Sequence, residues 1–482
     1  MLSRRKNEKR YGSSLTTVRS IYRLSMLMFV SGSSVFLEYG FHVGWVSPMK
    51  KVLQSDASPV GVPLTDVEIS FVACTLTLAG VVGVPICTYI AEVYGRKVAV
   101  VTIMLLYAVS WNLKLLATHN AVLMGARIIG GVSLGGSFIV VPMYIREISQ
   151  DSLRGTLVSL ALSSQHVGVL AMYAMGSYLS YNCTLWIALC ISIVAISCMP
   201  IAPESPAFLV KIEKFEEAKQ VLANLRGLQI DDVIIQNEIN YLENVDSNHK
   251  TDHKMTLATI FRNKSWRRGY FLCQILFCCI PFHGAFAIMT YATSIMTQVG
   301  VSVNPELQSL LVPLCLLCGS VAPILFVDRT GRKPLLIGAF SVSAVSLSCL
   351  ASALLVQRSG VVVPSWVPVV TIAAAVFSYS AGVVPIPNII INDMFQFQVR
   401  GKIIGLILMV YWGCTSLQVV FFELISSALG LDSVFFMSAA INIFGALLVL
   451  IFIPETKGKT TEQIEDILAG KRSGNTLETT SS

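Results

Sequence analysis

Three short charged motifs each occur twice along an otherwise apolar chain, and any chemistry must be built from them. Tyr94-Gly95-Arg96-Lys97 is matched by Thr330-Gly331-Arg332-Lys333, and Glu147 ahead of Arg154-Gly155 is matched by Asp393 ahead of Arg400-Gly401. Pro203-Glu204-Ser205 is matched in turn by Pro454-Glu455-Thr456. Carboxylates and guanidinium groups in this arrangement can make and break ion pairs, which is the chemistry of a mechanical latch rather than of bond cleavage. The chain carries no phosphate-binding Gly-rich loop, no Cys and His spacing for a metal and no nucleophile motif. ATP-driven transport and catalysis are therefore not expected, and neither is a cofactor, a metal or an enzyme activity.

The elements that hold these motifs are set by composition. Of the 482 residues, 54% are hydrophobic and 13% charged, whereas a soluble domain carries about 25% charged residues. Mean hydropathy is +0.68. Apolar runs of about 20 residues, enough to cross a hydrocarbon core as helix, recur along almost the whole length. The pattern predicts an all-α membrane protein with twelve transmembrane helices in two pseudo-symmetric six-helix bundles, because the motifs recur in the same order in each half. The expected organisation is a cytosolic tail over 1–20, a first bundle over 21–202, a cytosolic helical linker over 203–267, a second bundle over 268–453 and a cytosolic tail over 454–482.

Charge supports that topology. With both termini inside, the Lys and Arg residues fall on the cytosolic side except Lys50, Lys51 and Arg358 outside and Lys114 and Arg127 within spans. The net charge of +7 is then a topology signal, and no nucleic-acid motif accompanies it. Among 12 cysteines only Cys183 falls in an outer loop, so a disulfide framework is not expected and the thiols are read as packing groups. Asn182-Cys183-Thr184 is a glycosylation sequon in that same short loop. Gly130-Gly131 and Gly135-Gly136 are small residues that let helices approach, and Pro385 and Pro387 interrupt the tenth span.

With these motifs in view, the chain resembles the sugar porter family of the major facilitator superfamily. The resemblance rests on Arg154-Gly155, Pro203-Glu204-Ser205-Pro206, Asp328-Arg329-Thr330-Gly331-Arg332-Lys333, Pro385-Ile386-Pro387 and Pro454-Glu455-Thr456-Lys457-Gly458. Gly44-Trp45, Ser47-Pro48 and Pro63-Leu64-Thr65 look most like the insect facilitated trehalose transporter-like proteins. It implies a major facilitator fold whose cytosolic salt-bridge network comprises Glu147, Arg154, Glu204, Asp328, Arg329, Arg332, Asp393, Arg400 and Glu455. One departure lies in the first half, where Glu92 and Val93 stand in place of an acid or amide and an arginine, so a weaker inner gate is expected there.

The pocket departs further. Positions where the family carries amide, acidic or indole side chains hold Leu162, Ile280, Pro281, Phe286, Leu316, Ser380 and Asn388. The candidate substrate contacts are Gln165, His283, Thr290, Tyr291, Asn388, Trp412 and Thr415. His42 is the candidate proton site, near the place where proton-coupled members have an aspartate, and that absent aspartate favours facilitated diffusion. Lys114 and Glu423 are expected to snorkel toward the outer interface. The expected function is alternating-access transport of a hexose or trehalose-like sugar across the plasma membrane. The only expected partners are the small solute and the lipid bilayer. The alternatives are a carrier of a less polar solute and a non-transporting sugar sensor.

Overall fold

The computed structural model describes residues 32–150, 154–251, 257–298 and 310–469. The expected tail 1–20, the last part (470–482) of the expected tail 454–482 and the start of the first span lie outside them. The described chain is nearly all helix, and ten of its helices are long and apolar enough to cross a membrane. They are accompanied by a shorter apolar helix at Leu311–Val327 and by the described part of the first span.

The first half runs α1 (Ser34–Gly44), α2 (Val46–Leu53), α3 (Asp66–Val93), α4 (Arg96–Leu115), α5 (Asn120–Ile148), α6 (Arg154–Tyr178) and α7 (Tyr181–Cys198). Thr65 and Glu68 start α3 with a reciprocal capping box, each side chain accepting the other's backbone N–H. The Gly-rich stretch of α5 lies against α3 so closely that a Cβ on Gly135 would sit 2.1 Å from the Gly80 carbonyl oxygen. No side chain fits there, so the helix backbones themselves make the contact. Asn182 is exposed in the first turn of α7, while Thr184 is buried with its hydroxyl donating to the Ser180 carbonyl at 3.1 Å.

The linker contains α8 (Pro206–Lys211), α9 (Phe215–Arg226) and α10 (Val233–Thr251). Gly227, at φ 67°, ends α9. Leu209, Ala218, Leu222, Ile235 and Ile239 share a small core, and Arg226 ties α9 to α10 through Glu238 at 2.5 Å.

The second half runs α11 (Leu257–Arg262), α12 (Lys264–Phe282), α13 (Ala285–Gln298), α14 (Leu311–Thr330), α15 (Arg332–Arg358), α16 (Trp366–Ser378), α17 (Pro385–Met394), α18 (Phe397–Leu429), α19 (Leu431–Phe452) and α20 (Thr461–Ala469). The seventh span breaks between α12 and α13 at His283-Gly284, and Tyr291 inside α13 is itself non-helical at φ −119°, ψ 20°. The tenth breaks at a π-turn, Tyr379–Val383, immediately before Pro385. Pro385 and Pro387 bring no N–H to the carbonyls four residues before them, and the Asn388 amide donates to the neighbouring Val384 carbonyl at 2.8 Å.

The chain divides into two compact units, and they do not follow the midpoint of the sequence. One takes the described residues of Met1–His253, Phe286–Leu317 and Trp412–Ala428; the other takes those of Lys254–Ala285, Cys318–Tyr411 and Leu429–Ser482. In the first unit, α13 and the later part of α18 therefore pack with helices of the first half.

The helix contact at Gly135 has a measurable consequence. Gly135→Val is expected to cost at least the ~1 to 3 kcal/mol of core overpacking and to abolish a monodisperse peak in detergent. Gly405, around which a Cβ would meet nothing within 4 Å, tolerates alanine. Equal behaviour of the two variants in size-exclusion chromatography would contradict the packing.

Candidate functional site

The repeated motifs build the same arrangement of parts in each of the two units. In the first unit Gly95 takes φ 108° and precedes α4, whose first N–H groups have no side-chain cap. Glu204 fills that place: its Oε1 accepts the N–H of Arg96 at 2.9 Å and of Lys97 at 3.1 Å. In the second unit Gly331 takes φ 93° before α15, and Glu455 accepts the N–H of Arg332 at 3.1 Å and of Lys333 at 3.0 Å. A carboxylate at a helix N-terminus meets both the unpaired amides and the positive end of the helix dipole. The positive φ and the pressed carboxylates explain the two glycines, since a Cβ would lie 2.4 Å from Glu204 Oε2 and 2.8 Å from Glu455 Oε2.

The arginine that follows each glycine reaches sideways to the acid ending the fourth or tenth span. Arg96 holds Glu147 with two bonds, at 2.9 and 3.1 Å, and Arg332 meets Asp393 at 3.6 Å. The hydroxyl after each glutamate completes the set, Ser205 donating to Glu147 and Thr456 to Asp393. Each motif thus supplies one part of a carboxylate, guanidinium and hydroxyl cluster inside its own unit. Glu147 is held by the Arg96 guanidinium in a two-pronged pair. Arg96 was passed over as a network member although it stands in the motif. Arg329 is exposed, with its carbonyl accepting from Lys457, and Arg400 donates to the Phe395 carbonyl at 2.9 Å. The side chains of Arg154 and Asp328 lie outside the described residues.

Within the first unit the structure also buries a cluster of charge. The Glu38 carboxylate accepts from Trp111 Nε1 and from Ser192 Oγ, each at 2.7 Å. Lys114 is fully buried, its Nζ 3.5 Å from the Trp111 ring centroid and 4.8 Å from that of Trp45. It does not snorkel. Two indole faces and a carboxylate at the far edge of Trp111 give the ammonium an interior environment that replaces headgroup water. His42 Nδ1 meets the Glu38 carbonyl at 3.0 Å and Nε2 meets Ser110 Oγ at 3.1 Å, while the Ser110 hydroxyl donates to the Ala126 carbonyl at 2.7 Å. Arg127 donates to the carbonyls of Val72 and His42. Glu38, His42 and Trp45 recur with helical spacing, as do Trp111 and Lys114, and that signal was available in the sequence.

The candidate pocket residues divide between the units. In the first, Trp412 is fully buried beside Tyr39 and Phe138, and Thr415 and Gln165 are buried as well. Tyr291 lies at the end opposite the motifs, bonded to Ser70 at 3.0 Å and stacked on Phe422 with centroids 5.0 Å apart. Thr290 gives its hydroxyl to the Phe286 carbonyl of its own helix. In the second, His283 accepts the Ala285 N–H on Nδ1 and meets Ser343 Oγ through Nε2 at 2.6 Å, while its carbonyl accepts from Asn442. That arrangement holds the break in the seventh span together. Asn388 spends its amide on Val384, as described above.

The comparisons agree with this architecture. The sequence profile described as Sugar (and other) transporter matches residues 25–468. The chain belongs to the sugar transporter family. It is 26% identical over 456 residues to the facilitated trehalose transporter Tret1 of Bombyx mori, covering 93% of this chain and 88% of that one. It is 25% identical over 434 residues to Tret1 of Anopheles gambiae, covering 90% of this chain; it spans 54% of that longer relative. The solved structure of the major facilitator proton:xylose symporter XylE bound to 6-bromo-6-deoxy-D-glucose superposes with a TM-score of 0.75 at 19% identity, over 94% of this chain and 100% of that one. The likeness shows the major facilitator fold, and the family match together with ten helices long and apolar enough to cross a membrane makes the chain a multi-pass membrane transporter.

For a member of this family, the capping glutamate of the second half carries a pH signature. Burial pushes the Glu455 carboxyl up, but donation from the amides of Lys457, Lys333, Arg332 and Thr456 outweighs it and holds the group below the ordinary glutamate range. A depressed carboxylate adds stability that is fully present above its unfolded pKa and is lost as pH falls through the folded value. Glu455→Gln is expected to lower stability at neutral pH by about 1 kcal/mol and to remove part of the decline on acidification below about pH 4. Thermal melts of wild type and variant across that range check it; parallel curves would contradict the cap.

Proposed function

We propose that this chain is a facilitative sugar carrier of the plasma membrane, with both termini cytosolic, moving a hexose or trehalose-like solute down its gradient by alternating access. The observation that carries the reading is the match of almost the whole chain to a transporter family whose similar members include proteins described as facilitated trehalose transporters. In this topology the motif end faces the cytosol, a placement that the distribution of Lys and Arg supports. The opposite end, where Tyr291 meets Ser70 and Tyr173 donates to the Met289 carbonyl, is the outer face. That closed outer end is one of the two states an alternating carrier needs.

The roles follow from this arrangement. The two cytosolic clusters, Arg96 with Glu147, Glu204 and Ser205, and Arg332 with Asp393, Glu455 and Thr456, keep each set of helix ends rigid while the access route changes sides. Arg154, Asp328, Arg329 and Arg400 belong to the same belt of charge. Trp412, Tyr291, Gln165 and Thr415 offer an aromatic face and polar groups to a sugar ring. Facilitated diffusion is favoured over proton coupling because His42 stands where proton-coupled relatives carry an aspartate.

A second reading, the same carrier accepting a less polar solute, is supported by one observation. Thr290, His283 and Asn388 direct their polar atoms to protein partners, and Ile280, Phe286 and Leu316 are buried apolar side chains. A site that hydrogen-bonds hydroxyls loses affinity when its partners become apolar.

Uptake of radiolabelled trehalose and glucose into oocytes, with surface expression verified and external pH varied between about 6 and 8, tests the proposal. Saturable uptake unaffected by pH is expected, along with a loss of about tenfold or more for Trp412→Ala. No uptake of either sugar at full surface expression would reject the sugar reading in favour of the less polar solute.

A further inference from the structure

The outer end of the first unit contains a closed loop of contacts around one cation. Lys50 on α2 bridges to the Asp66 carboxylate at 2.8 Å, and its side chain is only 14% exposed although Asp66 is 55% exposed. The same ammonium stands 5.7 Å from the centroid of the Tyr291 ring. Gln54 adds a second donor to the Asp66 carboxylate at 2.9 Å. Ser70 donates its hydroxyl proton to the Asp66 carbonyl, which leaves its oxygen to accept from the Tyr291 hydroxyl. Lys50 therefore touches the gate by two routes: directly through the ring face of Tyr291, and through Asp66 and Ser70 to its hydroxyl. Phe422, stacked flat on the same ring, fixes the other side of Tyr291, and the neighbouring Glu423 lies within electrostatic reach of both Lys50 and Asp66.

We propose that Lys50 is the positioning residue of the outer gate, holding Tyr291 over α3 and thereby setting how often the outer side opens. An exposed ion pair alone contributes little, and a cation over an aromatic face contributes modestly. Here one largely buried ammonium serves both, so removing it loosens α2, α3 and α13 together. The proposal rests on the reading of this end as the outer gate, and it deepens that reading by naming the charge that holds the gate shut. It requires no particular solute.

Hydrogen–deuterium exchange of the purified full-length protein in detergent, without added solute, tests it in Lys50→Met, Lys50→Arg and Tyr291→Phe. Lys50→Met is expected to speed exchange in peptides from Ala285–Gln298 and from the start of Asp66–Val93 by about three- to tenfold, with Arg332–Arg358 unchanged. Lys50→Arg, which keeps the charge, is expected to remain close to wild type, and Tyr291→Phe to show part of the same local loosening. Unchanged exchange at Ala285–Gln298 in Lys50→Met would overturn the proposal. So would a rise that is equal in Arg332–Arg358, because the lysine would then be an ordinary stability residue. Absence of sugar uptake by the wild type would reject the sugar reading and leave this result standing.

Discussion

The structure depends on one constraint: in a bilayer, every helix end and every charge that water does not reach must find its partner inside the protein. The repeated motifs answer that constraint at the end where helices enter the membrane. A glycine with positive φ turns the chain, a glutamate from a distant segment caps the helix that follows, an arginine beside the cap reaches an acid on a neighbouring span, and a hydroxyl completes that acid's shell. The same set occurs at Gly95, Glu204, Arg96, Glu147 and Ser205, and at Gly331, Glu455, Arg332, Asp393 and Thr456. The repeat is thus a repeat of satisfied backbone as much as of sequence. That is why its residue types are so particular in a chain that is otherwise a succession of apolar spans.

A different solution holds the interior of the first half. Trp111 and Ser192 hold the Glu38 carboxylate, the Lys114 ammonium stands over the indoles of Trp111 and Trp45, and Arg127 and His42 are bound to backbone carbonyls. Buried charge of this kind is costly to leave half-paired, so the cluster fixes one arrangement of α1, α4, α5 and α7. The first half then offers Ser70 and Tyr173 as contacts for α13, the more irregular later part of the seventh span. That span carries its irregularity openly, with a break at Gly284 and a non-helical Tyr291.

Much of this was legible beforehand. Charges are conspicuous in an apolar sequence, so the paired motifs, the twelve-span pattern and the transporter family could be read from Gly-Arg-Lys, Pro-Glu-Ser and Pro-Glu-Thr alone. The Pro385 interruption was legible too, because a missing N–H is a property of the residue. Other features were not. Lys114 looked like a snorkelling residue because hydropathy reports position along a helix and not the indoles facing it. The grouping of α13 and the later part of α18 with the first half is a matter of tertiary packing, which a duplicated sequence leaves open.

The central claim is that each half carries its own cooperative cluster at the motif end, and double-mutant cycles on purified protein address it most directly. Arg96→Met and Glu147→Gln, singly and together, would be melted alongside Arg332→Met and Asp393→Asn. The account predicts strong non-additivity within each pair, each single change losing most of what the double change loses. Additive losses in both halves would contradict it, because the paired motifs would then be independent surface charges.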